Sequence, residues 1–187
     1  MNRKQRMEKR AQITDRPAKN ALLEGSLLPF FETGKRIGTY APIRSEADGY
    51  TPFARYPNLV LPRVVSDTEI RFYAPIHLEK GSFGVMEPEI GEEIVPDILI
   101  IPMLSFWGPY RMGYGKGYYD RYLDRHPECL RVGIAYDEQE ESFDPSPWDQ
   151  PLDLIITPSQ ILDFRRKEMR NSQIEALITR IQKDGSL

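Results

Sequence analysis

The chain has 187 residues, 40% of them hydrophobic and 28% charged, which suits one well-buried domain and excludes a chain that is disordered throughout. Its net charge of -3 is uneven, because residues 1–20 carry seven Lys/Arg (Arg3, Lys4, Arg6, Lys9, Arg10, Arg16 and Lys19) against Glu8 and Asp15, so the remainder holds -8. Cys129 is the single cysteine, which excludes an internal disulfide framework or a cysteine-built metal cluster.

In chain order, "RKQRMEKRAQ" predicts a mostly polar helix, either solvated or an arm that approaches an anion. Residues 1–30 lack the apolar core of a signal peptide. Ala21–Phe31 predicts a second, apolar helix. Short β-type runs follow at Arg36–Ile43, Leu59–Val65, Ile70–Ile76, Ile98–Leu104, Arg131–Tyr136 and Leu152–Pro158. The last three are near-continuously apolar, as in parallel strands covered by helices on both faces. Ile98–Leu104 is too short to span a bilayer, so the expected compartment is the cytoplasm, with no membrane partner. The glycine stretch "RMGYGKGYYDRYL" lies between the strands at 98–104 and 131–136, and Gly117–His126 reads as the crossover helix of a βαβ unit. After Asp163 the pattern changes, with Ile174, Leu177, Ile178 and Ile181 at helical spacing. The expected organisation is therefore an α/β domain over residues 1–163 and an amphipathic helix over 164–187. That helix should pack on the same domain, with a dimer contact as the alternative.

The glycine stretch carries the chemistry. Gly113, Gly115 and Gly117 allow positive φ and close approach of a ligand to the backbone. A loop that opens a helix aims N–H groups and the positive dipole end at one point, which suits phosphate. Arg111 and Lys116 add positive charge where a transferring phosphoryl group gathers negative charge. Asp120 offers oxygen to Mg²⁺. A P-loop does not fit, because Lys116 is followed by Gly117 and Tyr118 rather than Ser or Thr. Nor does a dinucleotide fingerprint, because the spacing is G-x-G-x-G. Spacing alone gives an anion-binding loop, with a tight turn among solvated charges as the bland alternative.

"RMGYGKGYYDR" also meets every fixed position of R-x-G-x-G-x-G-Y-Y-D-R, and in this the chain resembles the 5-formyltetrahydrofolate cyclo-ligase (5,10-methenyltetrahydrofolate synthetase) family. Other segments are similar to the family's in the same order: Arg3–Arg10, Tyr40–Gly49, Phe83–Pro88, Asp97–Phe106, Val132–Gln139 and Trp148–Pro158. The resemblance covers roughly residues 3 to 160. It implies a three-layer α/β fold, a mostly parallel sheet with helices on both faces, of the sugar-phosphate isomerase/CoA-transferase type. It further implies ATP-dependent closure of 5-formyltetrahydrofolate to 5,10-methenyltetrahydrofolate, with Mg²⁺ as cofactor, by phosphorylation of the formyl oxygen and attack of N10.

The resemblance also assigns residues. Arg111 and Lys116 become the charge stabilisers. The nucleotide would lie on Arg3, Lys4 and the segment Arg111, Met112, Gly113, Tyr114, Gly115, Lys116, Gly117, Tyr118 and Tyr119. The folate would touch Ala41, Glu46 and the stretch Tyr114 to Tyr118, and Asp120 and Asp153 would hold the metal. An aspartate inside an apolar strand, as at Asp153, is costly unless paired or metal-bound, whatever the family. Arg10 is expected to be structural, Trp148 to be core and Glu87 to be solvated charge within an acidic run. His77 and His126 receive no role.

Three departures from the family pattern stand out. The family's lysine four residues before Arg3 would precede Met1, so either one phosphate contact is missing or Lys4 substitutes for it. The 106–111 loop is a residue shorter, with Trp107 where aspartate is common. The segment between Glu46 and Pro62 is short, which trims a helix. Competing readings are a nucleic-acid-binding module built on the basic arm and a sugar-phosphate enzyme. The acidic remainder of the chain and the lack of aromatics in the basic run argue against the first. The match at Glu46 argues against the second. The expected partners are small molecules, with no nucleic acid, and the expected state is a monomer or weak homodimer.

Overall fold

A computed structural model describes residues 1–81 and 84–184. Its frame is a seven-stranded sheet. The strands are β1 (Ile37–Gly38), β2 (Leu59–Ser66), β3 (Glu69–Tyr73), β6 (Ile98–Ile101), β9 (Leu130–Ile134), β10 (Leu154–Ile156) and β11 (Ile161–Asp163). Their order is β3-β2-β1-β6-β9-β10-β11. The five inner strands are parallel to their neighbours, and β3 and β11 close the edges antiparallel. Two antiparallel hairpins stand outside this sheet. One pairs β4 (Leu78–Lys80) with β5 (Met86–Pro88), and the other pairs β7 (Ser105–Trp107) with β8 (Tyr110–Met112). The sequence reading has 106–111 as a loop and names no strand at 78–80 or 86–88. Three-residue strands carry too little periodicity to declare themselves. Phe83, which opened the 83–88 match, lies outside the described residues.

Alternation along the inner strands sends side chains to two separate cores. Ile98 and Ile100 join a cluster with Leu23, Leu27 and Phe30 of α2 (Arg16–Phe31) and with Leu177, Ile178 and Ile181 of α4 (Ser172–Asp184). Leu99 and Ile101 join the opposite cluster with Tyr122 and Leu123 of α3 (Tyr118–Arg125). Helices therefore cover both faces, as the continuous apolar runs required. The apolar stripe of α4 is taken up by the α2 face of this core. The segment after Glu46 holds a 3₁₀ turn at Thr51–Phe53 and no α-helix before β2.

The helix α1 (Arg3–Ala11) is polar, yet the residues it buries are arginines, Arg6 and Arg10. Asn2 and Gln5 close its first turn as a capping box, each side chain bonding the other residue's backbone N–H. Arg6 donates to the Ser105 hydroxyl and the Glu141 carboxylate, both at 2.7 Å. The basic N-terminal segment is thus a docked element of the domain, neither a solvated helix nor a free arm.

Candidate active site

The parallel strands run in the order β2-β1-β6-β9-β10. Chain direction across the sheet reverses between β1 and β6, and ligands of open α/β sheets bind beyond the strand ends at such a switch point. A cavity of about 170 Å³ opens there, lined among others by Tyr40 and Ala41 after β1, Pro102 after β6, and Glu46, Tyr114 and Tyr118. Val85, Met86 and Glu87 of the β4–β5 hairpin complete one wall. Glu87 is buried, which corrects its reading as solvated charge.

The glycine stretch leaves β8 and enters α3. Gly115 and Gly117 hold φ of +98° and +66°, a region that L side chains adopt rarely, and Gly117 caps the helix. Arg3 reaches across from α1, and its Nε–H donates to the Gly113 carbonyl at 3.1 Å. A contact across 110 positions of sequence joins the basic helix to the loop. Lys4 and Lys116 are exposed, while Met112 is half-buried. Arg111 is buried, lies over the Tyr119 ring at 5.4 Å, and donates through Nη2 to Asp120 Oδ2 at 3.1 Å. Its Nε–H is buried with no hydrogen-bond partner. An unpaired guanidinium donor beside a bare loop suits an anion.

Glu46 closes the other side of the cavity. Its Oε2 accepts the Ile43 N–H at 2.8 Å and its Oε1 accepts the Tyr114 hydroxyl at 2.7 Å. Burial pushes its carboxyl above the ordinary range, and these two donors, with Arg10 and Arg44, pull it back. Arg10, expected to be structural, reaches this site: its Nη2 donates to the same Tyr114 oxygen at 2.6 Å. The missed signal was spacing. Arg3, Arg6 and Arg10 recur at i, i+3 and i+7, a single stripe of a helix.

The expected metal residues part company. Asp120 accepts the Gln150 N–H on Oδ1 at 3.2 Å and Arg111 on Oδ2, and keeps 20% of its side-chain surface exposed. Asp153 is fully buried, with both oxygens gripped by Arg166 at 2.9 and 3.0 Å and Oδ2 also accepting the Arg131 N–H at 2.9 Å. Its engagement is an internal ion pair with a residue beyond the matched segments, where a metal ligand was expected. Among the described residues, no group of three or more His, Cys, Asp or Glu side chains could hold a metal. One carboxylate suits Mg²⁺ only where substrate phosphates complete the shell. Trp148, expected in the core, is 81% exposed on the loop that leads to Gln150. No described helix is long and apolar enough to cross a membrane.

Comparison with known proteins agrees with the architecture and with the motif. Residues 3–158 match the 5-formyltetrahydrofolate cyclo-ligase family. A 5-formyltetrahydrofolate cyclo-ligase of Mycoplasma pneumoniae is 41% identical over 129 residues, covering 65% of this chain and 72% of that one. Its namesake in Mycoplasma genitalium is 31% identical over 166 residues, covering 82% and 94%. The solved structure of an Aquifex aeolicus 5,10-methenyltetrahydrofolate synthetase superposes with a TM-score of 0.73 at 34% identity, covering 88% of this chain and 91% of that one. With its signature loop, its α/β frame and a match over most of its length, the chain belongs to the 5-formyltetrahydrofolate cyclo-ligase family and is an enzyme of that kind.

Proposed function

We propose that the enzyme uses ATP to convert 5-formyltetrahydrofolate into 5,10-methenyltetrahydrofolate, releasing ADP and phosphate. The observation that carries this is the joining of Arg3, the glycine loop and Arg111 beside a cavity that ends on Glu46. A phosphate-gripping loop next to an organic pocket is what transfer of a phosphoryl group to a bound substrate requires.

The formyl oxygen is amide-like and a poor leaving group. Its attack on the γ-phosphorus turns it into a good one, and N10 then closes the ring as phosphate departs. Arg111 and Lys116 neutralise charge that builds on the transferring group, and Arg3 and Lys4 hold the phosphates from α1. The backbone of residues 112–119 cradles the nucleotide, with Gly113, Gly115 and Gly117 keeping side chains out of its way. Ala41, Glu46, Tyr114 and Tyr118 form the folate wall, and Tyr119 supports Arg111 through its ring face. Asp120 would hold Mg²⁺ together with substrate phosphates, and the cation would neutralise phosphate charge. Asp153 is left out of this set, because Arg166 occupies both of its oxygens. No residue needs to form a covalent intermediate. Positioning and charge stabilisation suffice.

The test is the appearance of the methenyl product's near-ultraviolet absorbance with 5-formyltetrahydrofolate and MgATP. The signal should require ATP and metal, and should fall at least tenfold in Asp120→Asn. Product formed equally well without ATP, or undiminished in the variant, would sink the reading.

A further inference from the structure

Arg10 is 1% exposed and commits its whole guanidinium to the interior. Nε donates to Ser45 Oγ at 3.2 Å, Nη1 to the Met103 carbonyl at 2.9 Å and Nη2 to the Tyr114 hydroxyl at 2.6 Å. A guanidinium donates and never accepts. The phenol oxygen must therefore accept from Arg10, and its own proton must point elsewhere. Glu46 Oε1 lies 2.7 Å away and takes it. The other carboxylate oxygen already accepts the Ile43 N–H. Each oxygen of Glu46 thus faces a donor, an arrangement that a carboxylate satisfies and a carboxylic acid does not.

The geometry points to Arg10 as a positioning residue: by fixing the direction of the Tyr114 proton it holds Glu46 as a carboxylate, and Glu46 takes the proton that N10 must lose. This rests on the cyclisation proposed above. In that step the N10 lone pair forms the new C–N bond and the N10–H proton passes to Glu46. The C–O electron pair leaves with phosphate as the N5 lone pair makes the C=N bond of the methenyl cation. Glu46 releases the proton to solvent when the product departs.

The groups that bear on Glu46 come from every side. They are Arg10 from α1, Arg44 from its own turn, Tyr40 from the end of β1, Tyr114 from the glycine loop and Tyr119 from α3, with Glu87 of β5 on the same cavity. Arg10 and Arg44 are its cations, and they favour the charged form. Burial makes Glu46 more basic than a free carboxylate, as a proton acceptor should be. Burial also pushes the Tyr114 hydroxyl up to about 12, so it remains a donor at neutral pH.

The test follows the Glu46 carboxyl by carbon-13 NMR in glutamate-labelled protein, identified by loss of its signal in Glu46→Gln, beside the pH profile of kcat. Tyr114→Phe removes the hydroxyl and leaves Arg10 in place. We expect the Glu46 midpoint to rise by about one pH unit or more, since a charge-assisted bond is lost. The acid limb of kcat should move up with it. Arg10→Lys keeps the charge but loses the fork, and should move both the same way by less. If that variant does not fold, Tyr114→Phe decides alone. A midpoint and acid limb that stay put, or a change confined to KM, would overturn the assignment. A wild-type protein that makes no methenyl product would end the cyclisation reading and the proton transfer with it. The Glu46 titration would then still show whether Arg10 orders the site.

Discussion

Asp153→Asn separates an internal ion pair from a metal ligand. The carboxylate is fully buried and meets Arg166 through two bonds, Nε to Oδ1 at 2.9 Å and Nη2 to Oδ2 at 3.0 Å. Asparagine replaces one acceptor with an NH₂, which must then point at Arg166 or at the Arg131 N–H, donor against donor. Breaking a buried pair by neutralising one partner costs about 3–5 kcal/mol. The Arg166 side chain keeps 26% of its surface exposed, so water repays part of this and the lower end, about 3 kcal/mol, applies. For a domain of this size each kcal/mol moves Tm by about 2–4 °C, so thermal unfolding should shift down by about 6–12 °C. Below the new transition, the Mg²⁺ concentration for half-maximal activity should stay within about twofold of wild type, since no ligand is lost. Arg166→Met should also destabilise, and the double variant should recover part of the loss, because the two side chains form one interaction. A Tm within about 2 °C of wild type, with a Mg²⁺ requirement raised about tenfold or more, would refute the ion-pair account and return Asp153 to the metal.

Two further perturbations test the loop and the C-terminal segment. A Cβ on Gly113 would lie 2.8 Å from Arg111 Nη1, the movable end of a side chain, and Gly113 has no positive φ. Gly113→Ala should therefore keep its Tm while kcat falls about 10²-fold through a misplaced guanidinium; normal turnover would mean that Arg111 tolerates displacement. Arg165 holds the Asp163 carboxyl down to about 2, from an ordinary 3.8. A depressed carboxylate adds stability that is present above 3.8 and lost as pH falls towards 2. Denaturant melts should then show a flatter acid limb for Asp163→Asn than for wild type, and parallel curves would sink the assignment.

Much of the frame was legible because its signals are local. The apolar runs at 98–104, 131–136 and 152–158 became β6, β9 and β10, since a strand buried on both faces needs no partner's sequence to be recognised. Gly117–His126 gave α3 to within a residue at each end, because Gly117 caps it and the periodicity does the rest. What failed to show in the sequence depends on distant partners. Asp153 read as a metal ligand through the family resemblance, while the pattern alone left a paired or a metal-bound carboxylate open and could not point to Arg166. Trp148 read as core from its size alone, while its loop lies on the surface. Arg10 read as structural because the predicted helix was weighed by its charge, and the stripe that Arg10 forms with Arg3 and Arg6 at i, i+3 and i+7 was not drawn along it.

That stripe explains why a polar helix of nine residues holds its place. Isolated helices shorter than about 12–15 residues are marginal in water, and α1 has no apolar face to bury. Its order must come from the domain, through Arg6 on Ser105 and Glu141 and through Arg10 on Ser45, Met103 and Tyr114. At 1.5 Å per residue, Arg3 and Arg10 stand about 10 Å apart along one face. The two ends of that span touch the Gly113 carbonyl and the phenol that bonds Glu46. Two of the contacts that hold the helix, those of Arg3 and Arg10, therefore also set the spacing between the phosphate loop and the carboxylate. A substitution that loosens Arg6, outside both contacts, should blur that spacing without touching either ligand group, which is how an element with no core of its own becomes part of a site.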